Sequence, residues 1–319
     1  MTPMVSVLMP AYNAEKYIGE AIDSILNQTF KDFEFIIIND SSTDKTAEII
    51  EEYAKKDNRI VYEKNDKNMK ISKTLNRGMD MAKGKYIARM DADDVSLEDR
   101  LEKQVKYMEE NPECGVVGTC VLNFNGEDKT KTSENVSPEN DHTIRLYGLY
   151  HCQFIHSTVM LRKSVFDDNN LRYNPRYDGC EDFELWTRAK RFMKFHNLQE
   201  FLLYRRTPDE NVSENISKKA KNKRLMLSNK VYDAAFREII DDNFSVPLFM
   251  KLSFTLPEIK DSFDALGEMP LMKLKEDCPF TRKEISYACG MLMKNVTDKM
   301  KDLPNNYLAG AVDNGMKIG

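Results

Sequence analysis

Three carboxylates within four residues, Asp91-Ala92-Asp93-Asp94, directly follow the apolar run Tyr86-Ile87-Ala88-Arg89-Met90. Like charges crowded at the end of a buried strand repel one another and call for solvent, so packing alone gives no reason for them. In an extended chain, alternation sends Asp91 and Asp93 to the same face. A hard divalent cation that coordinates oxygen and carries a phosphorylated ligand suits such a pair. The structural alternative is a solvated acidic turn opening the next helix, with Ser96 and Asp99 as its capping pair. An EF-hand loop would place Asp91, Asp93 and Glu102 at positions 1, 3 and 12. It fails because Val95 takes position 5 and Ser96 stands where the loop needs glycine.

The elements around this cluster alternate strand and helix. Val5 to Met9 reads as a strand stopped by Pro10, and Glu15 to Gln28 has helical spacing through Ile18, Ala21, Ile22 and Ile25. Phe33 to Ile38 is a second strand ending at Asn39-Asp40, and Ser42 or Thr43 can cap a helix running through Tyr53. Arg59 to Tyr62 is a third strand, and Ser72 to Ala82 a helix closed by Gly84 before the strand that enters Asp91. Strands separated by helices of this length imply a parallel sheet with crossover connections. Ligands in such sheets sit at the carboxyl ends of the strands. Asn13, Asp40 and Asp91 fall just past those ends, along one rim.

Beyond Asp94 the rhythm changes. Leu97 to Glu110 is helical up to Asn111-Pro112, Val116 to Leu122 is a strand, and the polar stretch Asn123 to Asn140 reads as a hairpin or mobile loop. Strand-like residues return at Ser157 to Leu161, and a helix spans Asp182 to Phe192. From about Asn211 the composition shifts to Lys, Met and Leu with helical spacing, which marks a separate, mainly helical region.

A chain of 319 residues can bury one large core or two modest ones. Its net charge of -5 argues against a general nucleic-acid binder. The six cysteines form no CxxC pair, so neither a zinc site nor a disulfide framework is indicated, and they read as reduced thiols. Met1 to Pro10 lack a charged n-region and a long apolar core, and no apolar stretch is long enough to span a bilayer. The expectation is a cytoplasmic enzyme. Lys218 to Lys230 combines Lys218, Lys219, Lys221, Lys223, Arg224 and Lys230 with Leu225, Met226 and Leu227. Such a segment can lie peripherally on the anionic inner face of a membrane, or form a solvated helix face packed on the catalytic domain.

Neither a Walker A loop nor a GxGxxG fingerprint is present, which weakens ATPase and dinucleotide readings. A series of other motifs is: VSVLMPAYN at Val5 to Asn13, IINDSSTD at Ile37 to Asp44, NRGMDMAKGKYIARMDADD at Asn76 to Asp94, HSTVMLR at His156 to Arg162, and GCEDFELWTR at Gly179 to Arg188. In this order and spacing the series resembles the family 2 glycosyltransferases of GT-A fold. The resemblance covers about the first 205 residues. It implies an α/β architecture with a Rossmann-like mixed central sheet flanked by helices. The GT-A domain would span 1–210, with a nucleotide-binding half at 1–95 and an acceptor half at 96–210, followed by the helical region at 211–319.

Carried onto matching positions, the resemblance implies that Pro10, Ala11, Tyr12 and Asn13 hold the nucleotide base. Asp40 would accept a hydrogen bond from uracil N3–H, a donor that cytosine lacks. Asp91, Ala92 and Asp93 form the DXD motif, in which Asp93 holds Mn or Mg against the diphosphate and Asp91 faces the ribose or a metal-bound water. Asp182 matches the general base. A nucleotide leaving group develops negative charge that a divalent ion stabilises, and a carboxylate across the anomeric carbon can take the acceptor's proton. One in-line displacement inverts the anomeric configuration.

Each of these residues also has a plainer structural use. Asp40 could cap the following helix, and Glu181-Asp182 could be charges favoured at a helix N-terminus. Trp186, one turn on, would anchor that helix and fix the carboxylate. Glu181 reads as a supporting group and His156 as an acceptor-site or core polar residue. Lys73, Asn76 and Arg77 sit where the family carries basic or amide groups near sugar and phosphates, but helical spacing sends them to different faces. Lys70 departs from the family's usual glycine two residues after Asn68. Cys180, just before the acidic pair, could add thiol sensitivity.

The function that follows is transfer of a hexosyl or N-acetylhexosaminyl unit from a nucleotide-sugar, a UDP-sugar first, to a glycan or lipid-linked saccharide. A sugar-nucleotide nucleotidyltransferase is the alternative enzyme, but VSVLMPAYN is not its glycine- and lysine-rich triphosphate loop. A non-catalytic nucleotide-sugar binding module is the third reading.

Overall fold

The computed structural model describes residues 2–207 and isolated positions among 227–238 and 275–291. The chain divides into two compact units, residues 1–148 with 152–231, and residues 149–151 with 232–319. In the second unit, Thr281 and Glu284 form a capping box. The Glu284 carboxylate accepts from Thr281 N–H at 2.8 Å, and Thr281 Oγ1 accepts from Glu284 N–H at 3.2 Å. Lys218 to Lys230 falls almost wholly outside the described residues. Among the described residues no helix is long and apolar enough to cross a membrane.

The described strands of the first unit form one nine-stranded sheet. Its nucleotide half joins β1 (Val5–Ala11), β2 (Phe33–Asn39), β3 (Ile60–Lys64) and β4 (Tyr86–Arg89), ordered β3-β2-β1-β4 and parallel throughout. β1 and β2 are buried at every position, the mark of strands covered on both faces. On one face α1 (Ile18–Leu26) lays Ile18, Ala21, Ile22 and Ile25 against Val5, Val7, Met9, Phe35 and Ile37. On the other, α3 (Lys70–Met81) sets Leu75 and Met79 against Leu8, Ile36, Ile38 and Ile87. A Cβ on Gly78 would come within 2.1 Å of Leu8 Cδ1, so any larger residue there would force the buried Leu8 side chain or the helix to shift. α2 (Thr46–Lys56) connects β2 to β3.

Pro10 does not end β1. The strand continues through Ala11 in register with Ile38 and Asn39. Pairing to β4 ends at Leu8 opposite Arg89, where Met90 N–H still reaches Leu8 O at 3.0 Å. Residue 10 would supply the next donor on that side. Proline cannot, and the chain after β4 is released there into the acidic turn.

The other half is mixed. β5 (Val95–Ser96) and α4 (Arg100–Glu110) lead to the long β6 (Cys114–Asn125), which turns through Gly126 into β7 (Asp128–Asn135). The polar stretch after Leu122 is thus a hairpin. α5 (Asp141–Tyr147), β8 (Met160–Arg162), α6 (Lys163–Asp168), α7 (Glu181–Ala189) and β9 (Lys194–Thr207) complete it. β8 runs antiparallel between β4 and β6, β9 parallel to β6, and β5 antiparallel to β9. Sequence periodicity did not reveal β9, whose run carries register shifts against β6 that break the two-residue alternation. Trp186 is fully buried on α7, its ring edge-on to Phe154 at 5.5 Å and Phe166 at 6.5 Å.

Candidate active site

The loops after β1, β2 and β4 meet at the carboxyl rim of the sheet. A cleft of about 230 Å³ there is lined by Pro10, Ala11, Tyr12, Asp40, Asn68, Lys70, Ile71, Thr74 and Asp91. Asn13 does not line it. From a left-handed backbone, φ +49°, its Oδ1 accepts Thr43 N–H at 2.9 Å while its own N–H donates to Ser42 Oγ at 3.0 Å. Ser42 and Thr43 therefore tie the first loop to the second. The start of α2 is served instead by Asp44, whose Oδ1 accepts Thr46 N–H at 3.0 Å.

Asp40 is buried and does not cap α2, the helix that follows it; it serves the start of α3 instead. Its Oδ1 accepts Asn65 Nδ2 and Met69 N–H, both at 2.7 Å, and its Oδ2 accepts Lys70 N–H at 2.9 Å. An ionised carboxylate offers about four acceptor sites, so the side chain keeps capacity for one further donor from the cleft. Tyr12, half exposed at 51%, stands beside it.

Residues 91–94 turn rather than extend, and one carboxylate oxygen from each of Asp91, Asp93 and Asp94 lies within 4.8 Å of the others. The three are not equally solvated. Asp93 is exposed, Asp91 is half-buried, and Asp94 is only 2% exposed. Asp94 is sequestered because β9 passes over the turn. Arg206 N–H donates to Asp94 Oδ1 at 2.8 Å, and Arg206 Nε donates to Asp93 O at 2.9 Å. Burial first, then the charges of Asp91 and Asp93, push the Asp94 carboxyl up to about 7. Arg206 is itself held by Glu20 at 2.6 Å and by the Tyr17 and Phe124 rings at 4.0 and 4.4 Å. No side-chain cap opens α4; Asp99 pairs with Lys103 at 2.7 Å, and Ser96 Oγ receives Gln28 Nε2 at 3.1 Å.

Arg89, the last residue of β4, is the site residue that sequence reading passed over. Its guanidinium is buried and donates through Nη1 to Asp91 Oδ2, while its Nε has no partner. Its charge also acts on Asp94, Tyr173, Glu181 and His156. One buried cation thus lies between the acidic turn and the acidic start of α7.

The α7 side is built from α3 outward. Asn76 exchanges two hydrogen bonds with the Tyr173 backbone, each 2.8 Å, and Ser72 N–H donates to Asp178 Oδ1 at 3.2 Å. Arg77 is engaged by Lys64 O and Asn65 Oδ1, both at 2.8 Å, so Asn76 and Arg77 serve the scaffold. Lys73 is exposed and does not line the cleft; Lys70 does. The loop from Tyr173 to Gly179 delivers Glu181 and Asp182 at the start of α7. Gly179 N–H donates to Glu181 Oε2 at 2.6 Å, and burial, then Asp182, pushes that carboxyl up to about 7. Asp182 Oδ1 accepts Phe183 N–H at 2.8 Å. His156 Nε2 lies 2.8 Å from Tyr173 Oη, and burial, then Arg89, holds the imidazole well below its usual range and neutral.

A family model described as glycosyl transferase family 2 matches residues 6–169, half of the chain. The chain belongs to that family. It is 38% identical over 212 residues to an uncharacterized glycosyltransferase of Methanocaldococcus jannaschii, covering 65% of this chain and 72% of the relative. It is 36% identical over 208 residues to the O-antigen biosynthesis glycosyltransferase WbnJ of Escherichia coli, covering 63% of this chain and 78% of the relative. The structure of S. aureus TarS 1–349 in complex with UDP-GlcNAc superposes with a TM-score of 0.58 at 19% identity, over 96% of this chain and 92% of that one. The shared fold is GT-A. The protein is therefore a glycosyltransferase, and the rim cleft with its acidic turn lies on the part that the family model covers together with β1, β2 and β4.

Proposed function

We propose that this glycosyltransferase moves a sugar from a UDP-sugar to a hydroxyl of a glycan or lipid-linked saccharide, with inversion at the anomeric carbon. The observation that carries the reading is the placement of Asp40 and Asp91 in one cleft, with the other two carboxylates of the acidic turn beside it. Asp40 Oδ2 has room for the uracil N3–H, and the exposed Tyr12 ring offers a face for the base. TarS supports a UDP-sugar through the ligand bound in its structure, and WbnJ supports a glycan acceptor through its role in O-antigen biosynthesis.

The oxygen donors at the turn fit Mn or Mg. Asp93, exposed, and Asp91 would hold the ion, while Asp94 is committed to Arg206 N–H. Bound there, the ion supplies Lewis-acid stabilisation to the departing diphosphate. Arg89 balances the charge of Asp91 from the buried side. Asp182 takes the proton of the incoming hydroxyl as its oxygen attacks, with Glu181 beside it and Trp186 fixing the helix that carries it. The loop Tyr173–Gly179, braced by Ser72 and Asn76 of α3, leads into α7 and so sets where Glu181 and Asp182 stand.

Calorimetric titration of UDP, with GDP as control and with or without Mn, tests this reading. Metal-dependent binding that favours UDP supports it and leads to a screen of UDP-sugars for hydrolysis. Equal or stronger binding of GDP removes the uracil role of Asp40.

A further inference from the structure

Asp182 is held by more than its own helix. While Oδ1 accepts Phe183 N–H, Oδ2 faces Cys152 Sγ at 3.4 Å. The same sulfur lies 3.5 Å from Phe154 O. A thiol has one proton to give, and a carboxylate oxygen is a stronger acceptor than a peptide carbonyl. A carboxylate with one donor can rotate about its terminal torsion, which is broad and nearly two-fold. A second donor on the other oxygen fixes the plane.

The surroundings keep that second donor protonated. Burial first, then the charge of Asp182, pushes the Cys152 thiol well above its usual range. Among the described residues, the titratable groups around the pair include Glu181 and Cys180 at the start of α7, Tyr173 from the loop before it, Tyr147 from α5, and Arg89 with His156 around Tyr173. Arg89 is the cation among them, and it is bonded to Asp91. The Cys152 thiol is thus a donor placed directly on the Asp182 carboxylate.

We propose that Cys152 is a positioning residue, whose S–H donates to Asp182 Oδ2 and holds the carboxylate aimed for proton abstraction. The proposal rests on the reading of Asp182 as base. It goes beyond that reading by naming the group that orients the base. A carboxylate held by a donor on each oxygen keeps its plane, so losing the thiol loosens the geometry on which proton abstraction depends.

The test uses the full-length protein and two readouts. The infrared S–H stretch falls in a spectral window clear of other protein bands, and Cys152→Ser identifies the Cys152 component by its loss. That component is expected to be shifted to low frequency and to move on Asp182→Asn. A Cys152 band unaffected by Asp182→Asn overturns the proposal, whatever the donor sugar. In UDP-GlcNAc hydrolysis with Mn, Cys152→Ala is expected to lower kcat about tenfold at unchanged donor KM. Cys152→Ser, which keeps a donor, restores kcat. Equal loss in Ser and Ala variants, or a loss confined to KM, also overturns it. If Asp182→Asn keeps normal hydrolysis while the band still moves, the base assignment fails and the hydrogen bond stands.

Discussion

The backbone N–H of Lys70 donates to Asp40 Oδ2 at 2.9 Å, and Lys70 makes that bond from a left-handed backbone at φ +67°. A lysine in this region costs about 1–2 kcal/mol that glycine would not. The bond explains why the strain persists, since it helps satisfy a buried carboxylate at the head of the cleft. It also explains the family's usual glycine at this position. Here the same turn carries a cation into the lining.

Lys70→Gly separates the two consequences. Relief of the left-handed strain is offset in part by the greater freedom of glycine in the unfolded chain, so a net gain of about 0.5–1 kcal/mol is expected in denaturant unfolding. UDP affinity should fall several-fold, because a positive charge beside an anionic ligand is lost. A variant that gains stability and binds UDP as before would show that the ammonium group points away from the diphosphate.

Asp93→Ala should abolish the Mn-dependent part of UDP binding and all turnover. Asp93 is the exposed member of the acidic turn, so its removal leaves the fold's stability close to wild type. Titration of UDP with and without Mn reads the result directly. Unchanged metal-dependent affinity would sink the metal assignment.

Asp182→Asn keeps the shape of the side chain and its bond from Phe183 N–H, but removes its capacity to take a proton. UDP binding should persist, while transfer and donor hydrolysis should drop by at least about a hundredfold. Normal turnover in this variant would remove Asp182 as base.

The sequence located the rim but not the charge balance of the site. Asp40 and Asp91 could be placed because strand ends are marked by apolar runs broken by polar residues, and the carboxyl rim follows from the alternation of strands and helices. Lys70 is legible as a departure from the family's usual glycine, but helical spacing does not show that its backbone is left-handed. Arg89 was hidden inside an apolar run, where one basic residue reads as a strand-end charge rather than a buried counter-ion. Asp94 looked solvated because its partner, Arg206, lies 112 residues away on a strand without a clean alternation. Contacts of that range leave no local periodicity to read. The thiol of Cys152 is 30 residues from Asp182 and belongs to no motif.

Glu181 yields a prediction that depends on pH. Its carboxyl is buried, and desolvation followed by the Asp182 charge raises it from 4.5 to about 7. A raised carboxyl means that the folded protein binds more protons than the unfolded chain between those values. Stability is then greatest below about pH 4.5 and declines as pH rises through about 7. Glu181→Gln removes the ionisation and keeps an oxygen for Gly179 N–H. Against wild type, its unfolding midpoint should be nearly unchanged at pH 5 and higher at pH 8 by an amount equivalent to about 1–2 kcal/mol. Asp94 is raised in the same direction, so the variant keeps part of the slope rather than becoming independent of pH. Urea unfolding at the two pH values checks the difference. An equal shift at both would mean that the Glu181 charge is already compensated in the folded protein, and Arg89, whose charge acts on Glu181, is a source of that compensation.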